Sequence, residues 1–187
     1  MLPLTYPLIS EKEVIEYSTD FYKYSIEKDG NCLFHAIVHQ LRRLNLGLEV
    51  THSRLRQQAV EHIRANMPDY QEYINGDILH YLEDMAQNGA WGGEPEIRAL
   101  AAVLEVRIHV LQPGNYQPEP YGNLGRPLLY LAYNGQNHYD SLIPRVEWEN
   151  RQKSIEITNG NEGIREDVYI TKRYAIRDGR HNTTALQ

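Results

Sequence analysis

Apolar positions recur at spacings of three and four in the first two thirds of the chain, and later at spacings of two. Leu33, Phe34, Ile37, Val38, Leu41 and Leu44 predict a largely buried helix over residues 32–44. Leu55, Ala59, Ile63 and Met67 share one face of a second helix, which Thr51 or Ser53 caps and Pro68 ends. A third helix is expected over 78–87, before Asn88-Gly89, and a fourth over 95–104, with Pro95 in its first turn. Val106, Ile108 and Val110 alternate with Arg107, His109 and Leu111, the pattern of a half-buried strand. Residues 127–133 are nearly all apolar and predict a strand buried on both faces. Asn134-Gly135 is a hairpin-turn signal, and 138–143 is the returning strand. Residues 112–126, with three prolines and three glycines, read as a loop.

The ends are less patterned. An amphipathic stretch covers 10–17, with Ser10 and Glu13 spaced as a capping box. Residues 154–158 and 168–176 read as strands around Asn159-Gly160-Asn161, and the last ten residues as frayed. Helices first and strands later predict an α+β domain with a small central β-sheet flanked by helices. The expected division is an N-terminal extension over 1–23, a core over 24–146, and a C-terminal extension over 147–187 partly packed on the core.

Composition narrows the chemistry. A chain of 187 residues with 41% hydrophobic positions suits one domain with extensions. The net charge of −6 argues against broad nucleic-acid binding, which needs a basic footprint. No stretch approaches the roughly 20 apolar residues of a membrane helix, and the N-terminus lacks a secretory pattern. Cys32 is the sole cysteine, which excludes an internal disulfide and a Cys-based zinc cluster and fits a reducing, cytoplasmic compartment.

A lone cysteine is most often a small buried hydrophobe. Cys32, however, opens a predicted helix, where the partial positive charge favours a thiolate. It follows Gly30 and Asn31, whose backbone can aim N–H groups into an oxyanion pocket, and Asp29 is placed to pin that loop. A nucleophilic thiol needs a histidine base. His35 and His39 lie on the same helix with no acidic partner to complete a metal site, and read as surface residues. His109 is expected to face outward. His138 follows the hairpin turn, with Asp140 two residues on and hence on the same strand face, placed to orient the imidazole.

Asp29-Gly30-Asn31-Cys32-Leu33-Phe34-His35-Ala36-Ile37 resembles the catalytic-cysteine segment of the OTU (ovarian tumour) family of deubiquitinating cysteine proteases. Thr51-His52-Ser53-Arg54-Leu55-Arg56, Tyr81 through Trp91-Gly92-Gly93-Glu94, and Asn137-His138-Tyr139-Asp140-Ser141-Leu142 continue the likeness in order, over about 120 residues from Tyr24 to Ile143. The resemblance implies a papain-like fold and a cysteine-type enzyme that hydrolyses isopeptide bonds after the C-terminal glycine of ubiquitin, with no cofactor and no metal. It implies Cys32 as nucleophile and His138 as base. Asp140 or Asp29 orients that base, and the backbone at Gly30, Asn31 and Cys32 forms the oxyanion hole. Tyr139, Trp91 and Glu94 are candidates for substrate contact, Trp91 otherwise reading as a buried anchor for its turn. Glu94 and Glu96 are candidates to meet the Arg-rich tail of ubiquitin. The implied partner is ubiquitin or a polyubiquitin chain, acted on by a monomer without nucleic acid or membrane. The alternatives are a protease for another ubiquitin-like modifier and a catalytically weak ubiquitin-binding module.

Overall fold

Helix α1 (Cys32–Arg43) forms where the three-and-four spacing predicts it, and it seals Leu33, Phe34, Ile37 and Leu41 from solvent. The computed structural model describes residues 14–47, 49–114 and 117–160. Helix α2 (His52–Ala65) follows, and Thr51 is its cap, Oγ1 accepting from the Arg54 N–H at 3.2 Å. The chain leaves α2 at Asn66, so Pro68 stands in the first turn of the short helix α3 (Met67–Tyr70). A 3-10 turn (Gln71–Tyr73) leads to α4 (Ile78–Met85), capped by the Asp77 carboxylate, and then to α5 (Glu94–Val103). Leu55, Ala59 and Ile63 on α2 and Ile97, Ala99 and Leu100 on α5 join α1 in one core.

Five strands form the sheet, in the order β1 (Val14–Glu16), β2 (Phe21–Tyr24), β5 (Tyr139–Pro144), β4 (Leu128–Tyr133), β3 (Arg107–Leu111). All neighbours are antiparallel except β3 and β4. A parallel pair needs a crossover of about a dozen residues or more. The Pro- and Gly-rich stretch after β3 is that crossover, and it is tied midway by two reciprocal 2.9 Å backbone bonds between Tyr121 and Ile108. Strand β5 is the middle of the sheet, and its first five residues are buried. Strand β4 departs from the expected burial on both faces. Leu129 and Leu131 are sealed, but Tyr130 is half-buried against the rings of Phe21 and His109.

Both ends differ from the sequence reading. Strand β1 and the first three residues of β2 lie within the stretch read as an extension, so the sheet begins inside it. β2 pairs residue by residue with β5 more than a hundred positions away, from Phe21 opposite Pro144 to Tyr24 opposite Ser141. Its run of aromatic residues is a strand signal, but only the distant partner makes it a strand. The Ser10–Glu13 capping box and the strand at 168–176 lie outside the described residues. The strand expected at 154–158 is instead part of helix α6 (Arg145–Gly160). The helix-forming run of Glu149, Arg151, Gln152 and Lys153 outweighs the β-branched residues that follow it. Residues 14–148 belong to one compact unit, and the chain from Glu149 belongs to a second. Within the latter, the Ser154 hydroxyl donates to the Asn150 carbonyl at 2.8 Å. Among the described residues no helix is long and apolar enough to cross a membrane.

One buried side chain fixes α1 on the sheet. Gln40 Nε2 donates to Ser141 Oγ and to the Leu142 carbonyl, both at 2.7 Å, while Oε1 accepts from the Tyr130 N–H at 3.0 Å and from Arg43 at 3.1 Å. Replacing this amide by an isosteric hydrocarbon strands several buried polar groups. Gln40→Leu is therefore expected to lower unfolding free energy by about 2–4 kcal/mol in a urea titration. Unchanged stability would show that the four bonds do not hold the helix.

Candidate active site

Asp29, Gly30 and Asn31 fold into a tight loop ahead of α1. The Asp29 carboxylate accepts from the Asn31 N–H at 2.8 Å, from Asn31 Nδ2 at 3.1 Å, and lies 3.1 Å from His35 Nε2. Desolvation pushes this carboxyl up, but the Asn31 and His35 contacts outweigh it and bring it down to about 2. Gly30 is the one residue type that fits its place. Its φ is +81°, and a Cβ there would lie 2.0 Å from the Gly89 carbonyl oxygen.

Asn31 occupies the N-cap position of α1 but makes no capping bond with its side chain. Its Oδ1 accepts from Arg56 at 2.6 Å and from the Gly89 N–H at 3.1 Å. The first amides of α1 are thereby left for another acceptor. At the Cys32 thiol the backbone amides of Tyr139, Leu33 and Cys32 itself favour the thiolate. Cys32 is 2% exposed. The sequence reading expects the helix N-terminus to lower the thiol, but burial pushes it up, with the Asp29 charge acting the same way.

The hairpin between β4 and β5 delivers the histidine. It is a five-residue connection built on Asn134, not a two-residue turn. Asn134 Oδ1 accepts from the N–H groups of Gln136, Asn137 and His138 at 2.9–3.0 Å, and the Asn134 N–H donates to the His138 carbonyl at 3.0 Å. His138 is the last residue of this loop, and the strand expected from 138 begins one residue later, at Tyr139. The His138 Nε2 lies 3.1 Å from Asp140 Oδ1. Asp140 is thus the carboxylate at His138, and Asp29 is the carboxylate of the cysteine loop. Asp140 Oδ1 also accepts from the Ile26 N–H at 2.9 Å, and Oδ2 lies 3.1 Å from Lys23 Nζ.

The remaining sequence candidates fall into different places. Of the three expected oxyanion donors, the Asn31 N–H is committed to Asp29, which leaves Gly30 and Cys32. Trp91 is 42% exposed, not buried, because its indole lies over the hairpin, donating from Nε1 to the Asn137 carbonyl at 2.9 Å. Its ring stacks on Tyr139, which is buried and packs in turn on Tyr133. Glu94 is exposed and paired with Arg98 at 2.7 Å. Glu96 cannot meet a substrate: it is fully buried, accepting from the Tyr81 hydroxyl and the Gly93 N–H, both at 2.8 Å. The histidines read as surface residues are also engaged. His39 stacks on Tyr24 with its Nδ1 2.6 Å from Ser141 Oγ, and His35 packs on His52.

Lys23, Ile26, Arg56 and Asn134 are the functional positions the sequence reading does not assign. Arg56 had a signal. It sits beside the apolar stripe of α2, four residues before buried Val60, where a charged residue demands a partner. It finds the Met85 carbonyl at 3.0 Å, Asn31, and the face of Phe34.

The family model for the OTU-like cysteine proteases matches residues 27–142. OTU domain-containing protein 1 of Mus musculus is 30% identical over 168 residues, covering 83% of this chain and 35% of that protein. The deubiquitinase OTUD6B of Xenopus tropicalis is 32% identical over 132 residues, covering 63% of this chain and 44% of its own length. The chain therefore spans about a third to under a half of these curated relatives. A solved ovarian tumour domain in complex with ubiquitin superposes with a TM-score of 0.58 at 22% identity, over 67% of this chain and 71% of that one.

Asp29 gives a pH test that needs no substrate. Its carboxyl falls from an ordinary 3.8 to about 2 on folding, so its contribution to stability is present above pH 4 and is lost as the pH falls towards 2. The side chain is 39% exposed, so solvent screening limits that contribution to about 1 kcal/mol or less. Chemical denaturation of Asp29→Asn between pH 7 and 2 is expected to show a smaller acid loss than the wild type. Parallel pH curves would show that the loop does not depend on the charge.

Proposed function

This chain belongs to the OTU-like cysteine protease family, and from that premise we propose that it is a deubiquitinase, a thiol hydrolase of the isopeptide bond after the C-terminal glycine of ubiquitin. One observation carries the reading. Asp140 lies 3.1 Å from His138 Nε2 directly after the hairpin loop, within the stretch that the OTU-like cysteine protease model matches together with Cys32. Two relatives of unlike length support the substrate: the protein named a deubiquitinase, and the domain solved with ubiquitin.

The chemistry follows from the contacts. Asp140 holds His138 through Nε2, fixing the tautomer whose Nδ1 accepts the thiol proton. Proton transfer from Cys32 to His138 makes the thiolate that attacks. The sulfur adds to the glycine carbonyl carbon, and the oxyanion is held by the backbone N–H groups of Gly30 and Cys32. The C–N bond breaks, and the imidazolium returns its proton to the departing lysine amine. Water, deprotonated by His138, then cleaves the thioester and frees the glycine carboxylate and the thiol. No cofactor enters. Because a single thiol with no resolving partner must stay reduced, the reading includes a reducing, cytoplasmic site of action.

Gel assays on the eight diubiquitin linkages test this directly. Wild-type protein is expected to cleave at least one linkage, and Cys32→Ala none. Cleavage by Cys32→Ala would remove the nucleophile, while activity confined to another ubiquitin-like modifier would remove ubiquitin. The carboxylates separate by size of effect. Asp140→Asn is expected to reduce kcat/KM by about 10²–10⁴, as loss of an orienting carboxylate does. Asp29→Asn is expected to cost about tenfold or less, and the reverse order would assign the orienting role to Asp29.

A further inference from the structure

Lys23 lies outside residues 27–142, so the family pattern does not account for it. It stands on β2 opposite Leu142, two residues along β5 from Asp140. Side chains two apart share a strand face, so the diagonal brings the Lys23 ammonium to Asp140. The separation is 3.1 Å, on the carboxylate oxygen that does not face His138. Lys23 is only 26% exposed in its side chain and Asp140 only 13%, so the pair is partly withdrawn from water. Asp140 is thus held from three sides: the His138 ring, the Ile26 N–H and Lys23.

We propose that Lys23 is a positioning residue for the base, locking the Asp140 carboxylate against the imidazole and limiting the negative charge that reaches the ring. The inference rests on His138 being the base of the proposed reaction. Both oxygens of Asp140 are then committed, and the carboxylate cannot rotate away from Nε2. The ammonium also opposes a proton on the imidazole from the far side of Asp140. On the elements packed around the pair, His39 on α1 lies 2.6 Å from Ser141 beside Asp140 and stacks on Tyr24 of β2, Cys32 opens α1 after Asp29, and Tyr139 begins β5 against Tyr133 of β4. These groups are the same in every Lys23 variant, so a difference between the variants reports Lys23.

The test compares Lys23→Gln and Lys23→Arg on a fluorogenic amide of ubiquitin's C-terminus. In parallel, NMR follows the His138 ring in a Cys32→Ala background that needs no turnover, the signal being assigned from its loss in His138→Gln. Lys23→Gln is expected to lower kcat/KM roughly three- to tenfold. It should also move both limbs of the pH profile up by about half a pH unit, the size of one screened charge a few ångströms from the ring. The ring titration should move the same way, and Lys23→Arg should restore both. Profiles and ring titrations that superimpose, or a loss of activity with neither displaced, would overturn the proposal. Displaced ring titrations with an inactive wild type would uphold it while removing the proposed activity.

Discussion

The amide of Gln40 crosses from α1 to β4 and β5, and the geometry of the site follows from where it sets the helix. Cys32 is the first residue of that helix, and His138 immediately precedes β5. Neither residue has any sequence-local reason to meet the other. A fully bonded amide in a dry interface is intolerant of sliding, because any shift leaves donors and acceptors unmatched where water cannot replace them. Helix and strand are therefore locked in one relative position.

The loop before the helix meets a second constraint. An exposed helix start is normally closed by its cap residue. Here Asn31 is turned inward to Arg56 and Gly89 and makes no side-chain cap on the helix amides. Three segments, the Asp29–Asn31 loop, α2 and the Gly89 turn, converge on one side chain. The lack of room for a Cβ at Gly30 is the steric side of the same convergence. Desolvation of the sulfur and donation from the amides act in opposite directions, and desolvation wins at rest.

Much of this was legible in the chain. The helix spacings placed α1, α2, α4 and α5, because a 3.6-residue period is imposed by the need to bury one face and needs no knowledge of the partner. Alternation did the same for β3. Asn134-Gly135 marked the hairpin, although Asn134 acts by clamping three amides and so makes a longer loop than the dipeptide implies. The two-residue spacing of His138 and Asp140 was enough to foresee their contact. The readings that failed are those where burial depends on what lies across the interface. Trp91 was read as buried and is 42% exposed, Glu96 was offered to a substrate and is sealed, and β4 carries a half-open face.

What the sequence determined by itself was the local chemistry: a lone thiol at a helix start, a histidine after a turn, an acid two residues on, and the family these segments resemble. Periodicity and turn rules are short-range, and they reach those features without the fold. Only the tertiary structure decided which carboxylate serves the histidine, that burial outweighs the helix charge at the thiol, and that β2 brings Lys23 and the Ile26 amide onto Asp140. These depend on pairings across more than a hundred residues and on the exclusion of water, which no window along the chain contains.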